Sequence, residues 1–105
     1  MTRTLGILLT TSPESADVHT VIQLTRAARG QGRRVRIFVM CDGAYNLNTD
    51  EFRKLALEGA EIAACGQNAW ERGVEETDDI PNLTWGSQYD FARMTAECDR
   101  VISFT

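Results

Sequence analysis

The stretch Ile62-Ala63-Ala64-Cys65-Gly66-Gln67-Asn68-Ala69-Trp70-Glu71-Arg72-Gly73 joins a short apolar run to a small, helix-compatible segment through one cysteine. Read as a buried strand running into a helix, it places Cys65 where strand gives way to helix. Several backbone N–H groups there lack helical partners. Their partial positive charge favours thiolate over thiol, and thiolate is the reactive form. Gly66 next to it leaves the backbone open to close approach. Cys65 is therefore a candidate sulfur nucleophile.

Working outward, the same strand-then-helix grammar repeats. Leu5-Gly6-Ile7-Leu8-Leu9 is short and continuously apolar, as expected of a strand covered on both faces. Ser12-Pro13-Glu14 reads as a helix start, with Ser12 as N-cap and Pro13 in the first turn. Val18, Val21, Ile22 and Thr25 follow at helical spacing, and Gly30 and Gly32 end the run. Val35-Arg36-Ile37-Phe38-Val39-Met40 is the second strand, stopped by Asp42-Gly43. Residues 46–50 read as a loop, with Asn48 or Thr49 capping a helix through Phe52, Leu55 and Ala56.

Residues 60–64 form the third strand, and a short helix then runs to Trp70 and Gly73. An acidic connection, residues 75–79, leads to a fourth strand around Leu83-Thr84-Trp85. Ser87-x-x-Asp90 has the spacing of a capping box, and Phe91, Met94 and Cys98 share one face of the helix it opens. Residues 101–104 make a fifth strand. This alternation predicts an α/β fold: one five-stranded, mainly parallel sheet with helices on both faces. It leaves the strand order open. Reactive groups in such sheets gather at the carboxyl ends of the strands. The loops there are residues 10–14, 41–48, 65–68 and 85–87.

The 105 residues correspond to one domain. A net charge of −4 argues against nucleic-acid binding, which needs a basic face. No run approaches the ~20 apolar residues of a membrane span. The N-terminal apolar stretch, broken by Gly6, reads as a strand rather than a signal peptide. Three widely spaced cysteines and a single histidine, His19, exclude a structural zinc site and make a disulfide framework unexpected. Reduced thiols in the cytoplasm are the economical reading. Cys41 also ends a strand on the same edge and is a candidate second thiol, although neighbouring Asp42 opposes negative charge on its sulfur. Cys98 reads as core, His19 as surface, and Trp70 and Trp85 as core or subunit-interface residues. No phosphate-binding glycine motif occurs.

Four segments in order resemble the DsrE/DsrF-like proteins, which include subunits of bacterial sulfur-relay complexes. They are Val39-Met40-Cys41-Asp42-Gly43-Ala44-Tyr45-Asn46-Leu47, then Ala64-Cys65-Gly66 with Glu71-Arg72-Gly73. Ile80-Pro81-Asn82-Leu83-Thr84-Trp85-Gly86-Ser87 and Asp99-Arg100-Val101-Ile102-Ser103-Phe104 complete the set. The resemblance implies a three-layer α/β/α sandwich and a cytoplasmic protein assembled as a homo-oligomer, a trimer or hexamer. It implies sulfur carried as a persulfide on Cys65, exchanged with donor and acceptor proteins, and no metal or organic cofactor. Gly66, Asn68 and Ser87 would then support the sulfur, with Cys41, Asp42 and Tyr45 nearby. Where some relatives have a second cysteine three residues on, this chain has Asn68, so a local dithiol cycle is not expected. The rival expectations are a subunit that only completes an oligomer, and a small-ligand binder using Tyr45, Trp70 and Trp85.

Overall fold

The computed structural model describes residues 3–105. The strands are β1 (Thr4–Leu9), β2 (Arg34–Val39), β3 (Glu61–Cys65), β4 (Leu83–Gly86) and β5 (Arg100–Phe104). The helices are α1 (Ala16–Gly30), α2 (Asp50–Leu57), α3 (Gly66–Glu71) and α4 (Gln88–Glu97), with a 3-10 segment over Cys41–Asn48. The strands form one sheet in the order β4-β3-β2-β1-β5, and every pairing is parallel. The sheet is thus wholly parallel rather than mainly so. None of the described helices is long and apolar enough to cross a membrane.

Handedness assigns the layers. From β1 to β4 the chain steps one way across the sheet, so right-handed crossovers put α1, α2 and α3 on one face. After β4 it returns across the whole sheet to β5, beside β1, and the same hand puts α4 on the other face. There α4 packs against β1, β2 and β3. Strand alternation then divides the side chains between two cores. Ile7, Leu9, Ile37, Val39 and Ile62 meet Val21, Ile22, Phe52 and Leu55 on the three-helix face. Leu8, Phe38 and Cys65 meet Met94 under α4, where Phe91 stacks on Phe38 with ring centroids 5.6 Å apart.

Two local expectations are corrected. The first helix is not capped by Ser12: residues 12–15 form a turn closed by Ser15 N–H donating to the Ser12 carbonyl (3.0 Å). Ser15 is the N-cap, accepting from the Asp17 amide. The Ser12 hydroxyl is instead taken by Glu14, whose carboxyl it holds below the usual range. Residues 46–48 belong to the 3-10 segment rather than to a loop. Thr49 stands at the N-cap position of α2, but its hydroxyl donates backward to the Asn46 carbonyl (2.9 Å) and caps nothing. The capping box of α4 forms as read: Ser87 accepts from Tyr89 N–H, and Asp90 accepts from Ser87 N–H (2.8 Å).

Gly43 is where β1 and the 3-10 segment nearly touch, since a Cβ there would stand 2.2 Å from the Leu9 carbonyl oxygen. Gly43→Ala should therefore lower the urea midpoint, by a stability loss of about 2 kcal/mol or more. Gly30→Ala meets nothing within 4 Å and should leave the midpoint unchanged or slightly raised. Equal midpoints for the two variants would contradict this packing. At the start of β2 and β3, Arg34 grips the Glu61 carboxylate with two hydrogen bonds, holding its pKa below the usual carboxylate range. A lowered folded pKa contributes stability that is present above the unfolded value and lost as pH falls through the folded one. Urea midpoints measured through the acid range should thus fall less steeply for Glu61→Gln than for the wild type.

Candidate functional site

The reversal of direction after β4 makes a crevice. At the carboxyl end of β3 the chain turns into α3 on one face, and at the carboxyl end of neighbouring β4 it turns toward α4 on the other. Adjacent strand ends that part in this way form the switch point at which open α/β sheets hold ligands. Cys65 and Gly86 are register partners at that point. A Cβ at Gly86 would lie 1.9 Å from the Asp90 carboxylate that caps α4, so a side chain there would displace that cap. Gly66 begins α3 against the Gly86 carbonyl, which an added Cβ would meet at 3.4 Å.

Cys65 is the N-cap residue of α3, so the strand end and helix start fall where the residue pattern placed them. Alternation along β3 turns its side chain toward α4, where it is only 6% exposed among Leu8, Phe38 and Met94. Its sulfur accepts no capping hydrogen bond from the first amides of α3. The helix N-terminus is therefore beside the sulfur without engaging it.

The expected supporting residues divide into two groups. Ser87 lies across the crevice, with its hydroxyl committed to the cap of α4. Asn68, Cys41 and Asp42 form a separate polar lock between α3 and the 3-10 segment. The Asn68 side-chain oxygen accepts from the Cys41 amide (2.8 Å), and its Nδ2 donates to Glu71 (3.3 Å). Arg72 donates through Nε to Asp42 (2.9 Å) and through Nη1 to the Asn68 carbonyl (3.2 Å). Asp42 in turn raises the Arg72 pKa. Cys41 itself is half-buried and left-handed, with φ 53°, a conformation that costs a non-glycine residue free energy. The Asn68 bond to its amide helps hold it there. Tyr45 stands on the same segment, 37% exposed.

Arg72 and Asn46 are members of this region that residue-pattern reasoning left without a role. Asn46 is fully buried, and its Nδ2 donates to the Thr11 and Gly43 carbonyls, both at 3.0 Å. It pins the loop after β1 to the 3-10 segment. An asparagine inside a polar-looking stretch carries no sequence mark of burial, although Arg72 lay within a recognisable triplet. Trp85 packs on the three-helix core and donates its indole N–H to the Thr77 carbonyl (3.0 Å), anchoring the acidic connection. Trp70 is 76% exposed. Cys98 lies beneath Gly6, and burial pushes its thiol pKa up, as suits a packing residue. His19 is exposed. Among the described residues no three His, Cys, Asp or Glu side chains converge as metal ligands. The site holds one buried thiol where the neighbouring strands β3 and β4 end, with no capping hydrogen bond to its sulfur.

Comparison with known proteins agrees with this architecture. An uncharacterised protein of Methanopyrus kandleri is 29% identical over 97 residues, covering 82% of this chain and 80% of the relative. The crystal structure of the ychN protein from E. coli superimposes with a TM-score of 0.83 at 19% identity, over 99% of this chain and 100% of that one. A conserved protein of unknown function from Bacteroides thetaiotaomicron superimposes at 0.72 with 16% identity, over 96% and 94% of the two chains. At such identities the two structures speak for the fold alone. The family model is more specific, because it spans residues 4–104 and so takes in all five strands and both halves of the crevice. The chain belongs to the DsrE/DsrF-like family.

Proposed function

We propose that this protein is a sulfur-relay component that carries sulfane sulfur as a persulfide on Cys65 and passes it to an acceptor thiol. The observation that carries this reading is a cysteine at the end of β3, register partner of Gly86, in the switch-point crevice of a DsrE/DsrF-like chain. The Cys65 thiolate attacks the outer sulfur of a donor persulfide, forming Cys65–S–SH and expelling the donor thiolate. An acceptor thiolate then attacks the same outer sulfur and releases the Cys65 thiolate. Each step exchanges one S–S bond for another, so neither oxidant, reductant nor cofactor is consumed. The partners are sulfur-donor and sulfur-acceptor proteins, in a cytoplasmic, reducing setting that keeps the three thiols free. The working form is a homo-oligomer, a trimer or hexamer.

Cys65 is 6% exposed, so a donor reaches its sulfur only when the cover yields. Phe91 and Met94 of α4 are that cover, and outward movement of the first turns of α4 is the opening step. A second reading is favoured by the same burial: with apolar walls and no amide bonded to it, Cys65 would be a packing residue in a subunit that completes an oligomer. In that case Cys65→Ser would retain sulfur-relay function in cells.

Incubation with a sulfane-sulfur donor, followed by intact-mass measurement, separates the two. A one-sulfur increment that disappears in Cys65→Ser is expected. Its absence, with protein-bound donors also tried, would remove the carrier role. Phe91→Ala should cost about 2 kcal/mol of stability, since Phe91 is partly buried against the Cys65 cluster. The same substitution should speed native-state alkylation of Cys65 several-fold, and an unchanged rate would show that α4 is not the cover.

A further inference from the structure

Six ion pairs connect charged side chains across the described surface, and they engage Arg26, Arg34, Arg36, Arg72 and Arg93. Among the charged side chains outside those pairs, two groups of opposite sign border apolar features. One is Arg3, Arg33 and Arg100; the other includes Glu75 and Glu76. Each borders an apolar feature that lacks a partner.

The arginines rim a cavity of about 370 Å³ between the end of α1 and the edge strand β5, with Leu5, Leu24 and Ile102 on its floor. Ile102 is 40% exposed there, an apolar side chain on a sheet edge. Asp99 also lines the groove, exposed, with one carboxylate oxygen accepting from the Thr4 amide (2.7 Å), so the three arginines leave the rim net positive. The groove is thus oily at its base and cationic at its lip. The acids lie beside Trp70, which with Glu75 and Glu76 rims an open cavity of about 400 Å³ next to Gly66. Among the described residues Trp70 is the most exposed large apolar side chain, at 76%. It is an aromatic knob flanked by negative charge.

Knob and groove face the same side of the sheet but sit at diagonally opposite corners. α3 follows the carboxyl end of β3, near the β4 edge, while the groove lies at the amino ends of β1 and β5 on the other edge. One copy therefore cannot close the contact upon itself. We propose that this chain associates head to tail with a second copy, Trp70 and its flanking acids of one protomer seating on the groove rimmed by Arg3, Arg33 and Arg100 of the next. The inference takes the existence of an assembly from the homo-oligomer reading above; the surfaces come from charge and shape complementarity. The contact is heterologous, which closes into rings or propagates as filaments rather than forming an isolated two-fold dimer. Exposed aromatics and arginines are also the residue types that dominate association energies.

Sedimentation of the full chain across a concentration series tests it. Wild type should be a concentration-dependent oligomer, with Trp70 fluorescence shifting red on dilution. Trp70→Ala and the double variant Arg33→Glu/Arg100→Glu alter exposed side chains and should keep wild-type urea midpoints. Each should raise the dissociation constant by roughly tenfold or more. The discriminating sample is an equimolar mixture of the two. The double variant supplies an intact knob and Trp70→Ala an intact groove, so the mixture should form heterodimers that grow no further. A second variant, Glu75→Arg/Glu76→Arg, should weaken assembly on its own and regain it when mixed with the arginine-reversed variant. A wild type that stays monomeric overturns both this contact and the oligomer reading. An oligomer that both variants leave intact overturns the contact alone and places the interface elsewhere.

Discussion

A right-handed return crossover from β4 to β5 governs the arrangement of this molecule. Every earlier crossover steps in one direction and stacks its helix on one face. The return step carries α4 to the other face as its single helical cover. Three consequences follow. Beyond the paired ends of β3 and β4 the chain leaves toward opposite faces, which makes the switch point. Alternation along β3 directs Cys65 into it from the α4 side. And α4 sets Met94 in the cluster with Cys65 and stacks Phe91 on Phe38 beside it.

The polar lock beside the crevice acts on backbone rather than on chemistry. Asn68 supplies the Cys41 amide with an acceptor, and losing it would leave a part-buried donor unpaired, at a cost of about 1–3 kcal/mol. The Arg72–Asp42 pair is more exposed at its acidic end and, screened by solvent, contributes less. Asn68 therefore dominates the lock. Position 68 is also where a C-x-x-C pair would need its second thiol, and an amide bonded to the neighbouring segment takes its place. Any resolving thiol has to come from Cys41 or from another protein.

Burial and reactivity pull against each other at Cys65. A thiol packed among Leu8, Phe38 and Met94 is protected from adventitious oxidation, and the same packing shields it from partners. The first turn of α4 is closed by the Ser87–Asp90 box, and the cluster holding Cys65 lies on the opposite face of the sheet from the three-helix core.

The α/β class, the order of elements, the buried faces of α1 and α4, the α4 capping box and the strand-end position of Cys65 were all legible in the residues. Each depends on local periodicity or on turn chemistry within a few positions. The start of α1 was not, because Ser12 and Ser15 offer equivalent caps and the choice depends on where the Glu14 carboxylate lies. Nor was the aim of Asn68 at Cys41 rather than at Cys65, since a side-chain amide bonds whatever donor the packed backbone presents. Strand order, the burial of the Cys65 sulfur under α4, and the diagonal placement of Trp70 and the arginine-rimmed groove are long-range facts. They arise from which strands pair and which face each crossover covers, and only the assembled sheet decides that.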